Sequence, residues 1–357
     1  MRILIGITFT LTLIGCIFIY SSSSIYALEK CGSAHYFVTK QLIGFLIGLM
    51  AMFGVQWVTP KTIQKLSPYA MIICLGFTLM TFIPFFARRI HGASRWISLG
   101  VIAFQPSELL KMALIVYVAY ILSKKDWSQA SLIYDYLPLL LIICGPCLAI
   151  LAQPDFGLTA TVSMTIFMMF YLASFRSSHL LISILVLLPV GVTLMLLKPY
   201  RLKRILVFLN PWNDPLGSGF QIIQSLIAIG SGNITGLGIG NSRQKYFYLP
   251  MQHTDFIFSV IAEEIGFLGI CAIIILYILL LYYGLRIAYR IHNPFSSLVI
   301  AGFSMVTSLQ AIINIAVTTG LVPTKGIGLP FVSYGNTALV CNLLMVGIII
   351  NLVRQSS

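Results

Sequence analysis

Four places in the chain set charged or polar side chains among apolar runs, and their types and spacing suggest chemistry. In Gln105-Pro106-Ser107-Glu108, followed by Lys111, a helix can start at Pro106 or be capped by Ser107. Glu108 and Lys111 then lie three apart on one face, close enough to neutralise each other, either as a structural ion pair or as part of a site. In Gln153-Pro154-Asp155-Phe156-Gly157 a proline and a glycine bracket an acid. Such a break lines a cavity at membrane depth or forms a short turn with a solvated Asp. His253-Thr254-Asp255 stands directly before the run Phe256-Ile257-Phe258. Thr254 or Asp255 can cap that helix, where an acid also suits the positive end of the dipole. A carboxylate at the rim of a basic segment is also the arrangement of a general base beside an anion-binding surface. Glu263-Glu264 follow about two turns later and point about 100° apart, so one faces a polar cavity and the pattern does not say which. A charge at membrane depth costs roughly 3 kcal/mol, which makes each place a functional candidate.

The elements that must position these residues follow from composition. Of 357 residues, 59% are apolar and 9% charged, against about 25% charged in a soluble domain. A water-soluble enzyme and a disordered chain are excluded. The expected architecture is an all-α polytopic membrane protein, a single domain over 1–357. Apolar windows place spans near 2–22, 37–58, 68–87, 107–123, 137–153, 156–175, 179–197, 256–285, 294–318 and 334–353, with one long extracytoplasmic loop, about 198–255. The pair meeting at Gln153-Pro154-Asp155 also reads as one re-entrant element, and 256–285 is long enough to tilt or kink. The first span ends in Ser21-Ser22-Ser23-Ser24 without a small-x-small cleavage site, and reads as retained.

Net charge is +13. With both termini inside, the outer side carries more Lys and Arg than the inner, against the usual bias. Half of that outer charge, Lys198, Arg201, Lys203, Arg204, Arg243 and Lys245, lies in the one long segment. A basic segment that topology does not call for suggests an anionic partner outside.

Other signals are weaker. Arg95-Trp96-Ile97-Ser98 reads as an interfacial anchor or an anion contact. Pro323-Thr324-Lys325-Gly326, leading to Ser333-Tyr334-Gly335, fits anion contact or plain solvation. Cys144-Gly145-Pro146-Cys147 copies a redox spacing inside a span, where apolar packing explains it better. The five histidines show no metal-ligand spacing. Gly236-Leu237-Gly238-Ile239-Gly240 resembles a phosphate loop, without the strand that such a loop follows.

Taken in order, Gly92-Ala93-Ser94-Arg95-Trp96-Ile97, Gln105-Pro106-Ser107-Glu108, Gln153-Pro154-Asp155-Phe156-Gly157, His253-Thr254-Asp255-Phe256-Ile257-Phe258, Glu263-Glu264-x-Gly266 and Ser333-Tyr334-Gly335 resemble the SEDS family (shape, elongation, division and sporulation). The resemblance covers nearly the whole chain. Gly238-Ile239-Gly240-Asn241-Ser242-Arg243-Gln244-Lys245 and Pro323-Thr324-Lys325-Gly326 are most similar to its division branch, with the elongation branch close behind. Two positions depart from the family pattern: Pro250-Met251-Gln252 lacks an acid often found there, and Asn336-Thr337 replaces Gly-Ser. Both changes bear on acceptor positioning or partner control.

The resemblance implies a peptidoglycan glycosyltransferase that polymerises lipid II on the outer face of the bacterial cytoplasmic membrane, at the division site. Asp255 would be the general base on the acceptor's GlcNAc 4-hydroxyl, with polyprenyl diphosphate leaving and the anomeric carbon inverted. Arg95, Glu108, Lys111, Arg201, Arg204, Arg243, Lys245 and Lys325 would bind the diphosphate and sugar, and Asp155, His253, Glu263, Ser333 and Tyr334 would support the cavity. Mg²⁺ or Mn²⁺ is a candidate helper, with no organic cofactor and no nucleic acid. A class B penicillin-binding protein transpeptidase and other divisome membrane proteins are the implied partners. The rival readings are a lipid II flippase, an elongation polymerase and a non-catalytic division scaffold.

Overall fold

The computed structural model describes residues 1–357 except 86, 91–92, 100–101, 197–198, 246–248, 325 and 357; side chains at 87–90, 93–94, 99, 102, 187–188, 190, 192, 194–196 and 199–203 are also left undescribed. Twelve helices account for most of the described chain: α1 (Arg2–Cys31), α2 (Tyr36–Gly54), α3 (Pro60–Met80), α4 (Pro106–Leu122), α5 (Leu137–Ala152), α6 (Phe156–Leu172), α7 (Ser177–Leu196), α8 (Pro199–Leu209), α9 (Phe220–Ser231), α10 (Ile257–Arg290), α11 (Pro294–Thr318) and α12 (Asn336–Ser356). Seven described spans, α1, α2, α3, α5 with the turn before it, α10, α11 and α12, have the length and apolar content to cross a membrane. The molecule is an all-α polytopic membrane protein.

Each expected span has its helix, and the differences are informative. α1 runs on through Ser21–Ser24 to Cys31, because Ser23 returns its hydroxyl to the Ile19 carbonyl and Ser21 reaches Glu264 instead of breaking the helix. α3 starts at Pro60, where Thr59 accepts from the Thr62 amide as the N-cap. α5 and α6 are two helices that meet at the turn Gln153-Pro154-Asp155. The segment 198–255 is not a plain loop: it holds α8 and α9, and α9 packs on α10 and α11. A three-stranded antiparallel sheet, β1 (Ala87–Ile90), β2 (Ala93–Leu99) and β3 (Ile102–Phe104), follows α3 where an irregular loop was expected.

The post of the bundle is α11, which packs against α4, α6, α9, α10 and α12 and is buried over most of its length. Small residues permit this, as lipid supplies no hydrophobic drive between helices and association depends on close packing. At Gly302 a Cβ would come within 2.6 Å of Ile115 and 2.9 Å of Met169, which fixes how near α4 and α6 approach. α2 and α12 interlock in the same way, Gly48 against Leu343 and Gly347 against Met52.

The expected kink in α10 is a full break. Gly266 takes φ 68° and ψ −170°, which releases backbone groups that lipid could not satisfy. The glycine-rich stretch supplies them. Leu237 and Gly238 donate to the carbonyls of Glu263 and Glu264, and Phe267 and Leu268 donate to Asn233 and Ile234. Gly236 and Gly238 are left-handed in doing so (φ 81° and 96°), and a Cβ on Gly236 would collide with the Glu264 carbonyl at 2.2 Å. These glycines serve a broken helix, and the likeness to a phosphate loop ends there.

Candidate active site

A cavity of about 990 Å³ opens where the turn before α10, the turn between α5 and α6, β2, α8 and the irregular stretch between α11 and α12 converge. Asp255 lies on its wall. The turn carrying it winds around the Met251 carbonyl, which accepts from the amides of Thr254 (3.1 Å) and Phe256 (3.3 Å) and from the Thr254 hydroxyl (3.2 Å). Three neighbours pin the turn from outside. Asn314 on α11 donates from Nδ2 to the carbonyls of Asp255 (2.8 Å) and Ile327 (2.6 Å). The Ser333 hydroxyl donates to the Thr254 carbonyl (2.6 Å), and the Tyr334 amide donates to the His253 carbonyl (2.9 Å). The main chain of the turn is thereby fixed without using the Asp255 carboxylate, which forms no hydrogen bond among the described residues.

The electrostatics suit a base. Asp255 is half-buried on the cavity wall, and burial pushes its carboxyl up to about 7. Arg95 and Arg204 pull it down and Asp155 pushes it up further. A carboxylate near 7 combines a useful ionised fraction at neutral pH with enough basicity to take a proton.

Arg95 extends from β2 onto the turn between α5 and α6. It donates to the carbonyls of Gln153 (Nε, 3.0 Å) and Pro154 (Nη2, 2.5 Å) and stands 3.5 Å from Asp155 Oδ2 through Nη1. The other Asp155 oxygen, Oδ1, caps α6 by accepting from the Leu158 amide at 3.1 Å. Burial raises the Asp155 carboxyl, and Arg95 opposes that rise. Arg204 on α8 donates to the Thr324 carbonyl at 2.7 Å and lines the same cavity. Glu108 lines it too; it is bound by Lys111 at 2.6 Å, and Lys111 also donates to Gln310 Oε1 (3.1 Å).

Of the sequence-predicted residues, the fold gathers Asp255, Arg95, Arg204, Glu108, Asp155, Ser333 and Tyr334 around one cavity. It sets others apart. Lys111 is fully buried behind Glu108 and reaches the cavity only through its partners. Arg243 and Lys245 do not line the cavity; the Arg243 amide is spent on Glu263, and the Lys245 ammonium donates to the Gly240 carbonyl. His253 is a packing piece, its ring 4.4 Å from that of Phe37 and close to Tyr334 and Tyr26. Burial holds its imidazole down at about 4, hence neutral. Burial likewise pushes the Tyr334 phenol up to about 12.

Glu263 and Glu264 do not line the cavity either. Both are almost fully buried under the 241–244 stretch. Glu263 accepts from the Ser242 hydroxyl and the amides of Arg243 (3.0 Å) and Gln244 (3.5 Å). Glu264 accepts from the Ser21 hydroxyl (2.5 Å) and the Ser242 amide (3.4 Å). They latch that stretch onto α10 and α1. Lys325 lies outside the described residues, as does the Arg201 side chain.

Two residues at the site escaped the sequence reading. Gln310 and Asn314 stand four apart on α11 and tie α4, the 326–328 stretch and the Asp255 turn together. Uncharged amides in an apolar run carry the same signal as buried acids in weaker form. Among the described residues no three His, Cys, Asp or Glu side chains come together as a metal-binding group.

Comparison with known proteins adds identity to this geometry. Stage V sporulation protein E of Bacillus subtilis is 41% identical over 354 residues, spanning 99% of this chain and 97% of that protein. The probable peptidoglycan glycosyltransferase FtsW of Geobacter sulfurreducens is 38% identical over 342 residues, spanning 96% of this chain and 92% of its own length. A chain from a structure of a peptidoglycan synthase complex, described as coordinating polymerization and crosslinking, superposes with a TM-score of 0.81 at 29% identity, over 99% of this chain and 97% of that one. The rod shape determining protein RodA of Thermus thermophilus shares the fold, with a TM-score of 0.73 at 24% identity over 99% of this chain and 96% of its own. The family described as cell cycle protein, which unites FtsW, RodA and SpoVE, matches residues 1–357, and the chain belongs to it.

Proposed function

We propose that this protein is a peptidoglycan glycosyltransferase that polymerises lipid II, with Asp255 as its general base. The observation that carries the reading is the Asp255 carboxylate, free of hydrogen bonds among the described residues, on a cavity wall that also holds Arg95 and Arg204. Relatives named as probable peptidoglycan glycosyltransferases over nearly the full chain support the activity.

The acceptor's 4-hydroxyl gives its proton to an Asp255 oxygen as its own oxygen attacks the donor's anomeric carbon from the face opposite the diphosphate. The bond from that carbon to the diphosphate oxygen breaks, the configuration inverts, and polyprenyl diphosphate leaves. Arg95 and Arg204 offset the negative charge that gathers on the leaving group. Asp255 then returns its proton to cavity water. Arg201 and Lys325 are proposed as further cations for the diphosphate.

The site is read as facing outward from the cytoplasmic membrane, with a class B penicillin-binding protein transpeptidase as partner and other divisome membrane proteins nearby. The similar chain in a peptidoglycan synthase complex supports such a partner. The division branch is preferred because Gly238-Ile239-Gly240-Asn241-Ser242-Arg243-Gln244-Lys245 and Pro323-Thr324-Lys325-Gly326 are most similar to it. Incubating purified protein with labelled lipid II tests the activity. Glycan strands from wild type and none from Asp255→Asn are expected. Equal polymerisation by both would overturn the base, and no polymerisation by wild type, alone or with a transpeptidase partner, would favour a flippase or a scaffold.

A further inference from the structure

The turn at 153–155 treats Arg95 in an unusual way. Three of its groups, two carbonyls and the Asp155 carboxylate, hold the guanidinium. Asp255 stands close to the same guanidinium. A Cβ placed on Gly326 would sit 3.1 Å from Asp255 Oδ2 and 3.7 Å from Arg95 Nη1, so base and cation flank the same small gap. Arg95 nevertheless forms its ion pair with Asp155, and Asp255 forms none among the described residues.

We propose that Asp155 is a positioning residue of the reaction: it holds Arg95 beside Asp255 and prevents the two from closing into an ion pair. This deepens the proposed function and rests on it. An ion pair between Arg95 and Asp255 would occupy the lone pair that must take the proton, and would draw the guanidinium away from the diphosphate. A rival carboxylate with a fixed backbone prevents both. Asp155 is suited to this because its position is set twice, by its cap on α6 and by Gln153, whose side chain donates to the Thr78 carbonyl (3.2 Å) and Thr81 hydroxyl (2.7 Å) of the α3 end. Gly326 keeps the gap narrow.

The other charged groups facing Asp255 are Arg204 from α8 and, across the cavity, Glu108 with Lys111 behind it on α4; His253 is adjacent on its own turn and neutral at pH 7. Lys325, next to Gly326, lies outside the described residues. Arg95 and Asp155 form an ion pair in which Asp255 could replace a partner. Removing them must move the titration of Asp255 in opposite directions. Without Asp155, Asp255 loses a like charge and gains Arg95, so it ionises at lower pH. Without Arg95 it ionises at higher pH.

The test is the pH dependence of kcat/KM for lipid II polymerisation by full-length wild type, Asp155→Asn, Arg95→Gln and Asp255→Asn. Asp155→Asn is expected to shift the acid limb down by on the order of one pH unit and to lower kcat about tenfold, and Arg95→Gln to shift the limb up. An unmoved limb in both variants, or shifts in one direction, overturns the proposal even when activity falls. If Asp255→Asn polymerises like wild type, the base assignment itself fails, and this outcome is separate from the first. Gly326→Ala, which puts a methyl between the two groups without touching the buried turn, must shift the limb up; it decides the matter if Asp155→Asn does not fold.

Discussion

Two buried acidic sites lie within ten residues of each other, and they are built in opposite ways. Glu263 and Glu264 are nearly inaccessible, and three of their four carboxylate oxygens take up the amides of Ser242, Arg243 and Gln244 and the hydroxyls of Ser21 and Ser242. Asp255 is more accessible, and none of the same kinds of donor reaches its carboxylate among the described residues. Its backbone carbonyl is bound by Asn314 instead. Taking a carboxylate out of water is costly in either case. What separates structure from chemistry is whether the carboxylate is fastened by donors of its own fold and shut away from the cavity. The glutamates fasten a loop to a broken helix; the aspartate is held by its main chain and keeps its side chain for a substrate.

Mutations can break or sharpen this contrast. Asp255→Asn keeps the shape and removes the base, and should lower lipid II polymerisation about 10²–10⁴-fold, with thermal unfolding in detergent unchanged. Arg95→Gln removes a cation from the cavity wall and should cost about 10²-fold in kcat/KM; a loss under threefold would leave the diphosphate to other cations. The wild-type rate should rise with pH through about 7, falling tenfold per unit below it, because the ionised Asp255 is the active form and burial has raised its carboxyl. A flat profile from pH 5 to 8 would contradict that. Asn314→Leu leaves two carbonyls without a donor, Asp255 and Ile327. It should reduce the rate about tenfold through misplacement and destabilise by roughly 2 kcal/mol. Glu263→Gln should show the reverse balance: a loss of about 2–3 kcal/mol of stability, as an amide cannot accept everything the carboxylate does, with activity within threefold and the acid limb unmoved.

The same contrast explains what could be read from the sequence. Span positions were legible, since an apolar run of about 20 residues has few other uses. So were the neighbours of the cavity, because Gln153-Pro154-Asp155 and His253-Thr254-Asp255 interrupt such runs with acids at helix starts. The division of labour between acids was not legible. Glu263-Glu264 look at least as costly as Asp255 in one dimension, and only the fold brings the 241–244 amides onto them. Lys111, Arg243 and Lys245 carry charges that suggested anion binding, yet each is spent on a local partner or stands away from the cavity. Gln310 and Asn314 were passed over for the opposite reason: uncharged, they blend into α11 until the hydrogen bonds are seen. The sheet at Arg95 depends on pairing among short strands, which a span-oriented reading has no means to detect.

The most direct test of the account is polymerisation of labelled lipid II by purified Asp255→Asn beside Glu263→Gln, each at pH 7.5 with its unfolding temperature measured. The aspartate variant should be fully folded and polymerise at least about 10²-fold more slowly than wild type, while the glutamate variant is less stable and still polymerises. Strands from Asp255→Asn at the wild-type rate would contradict it.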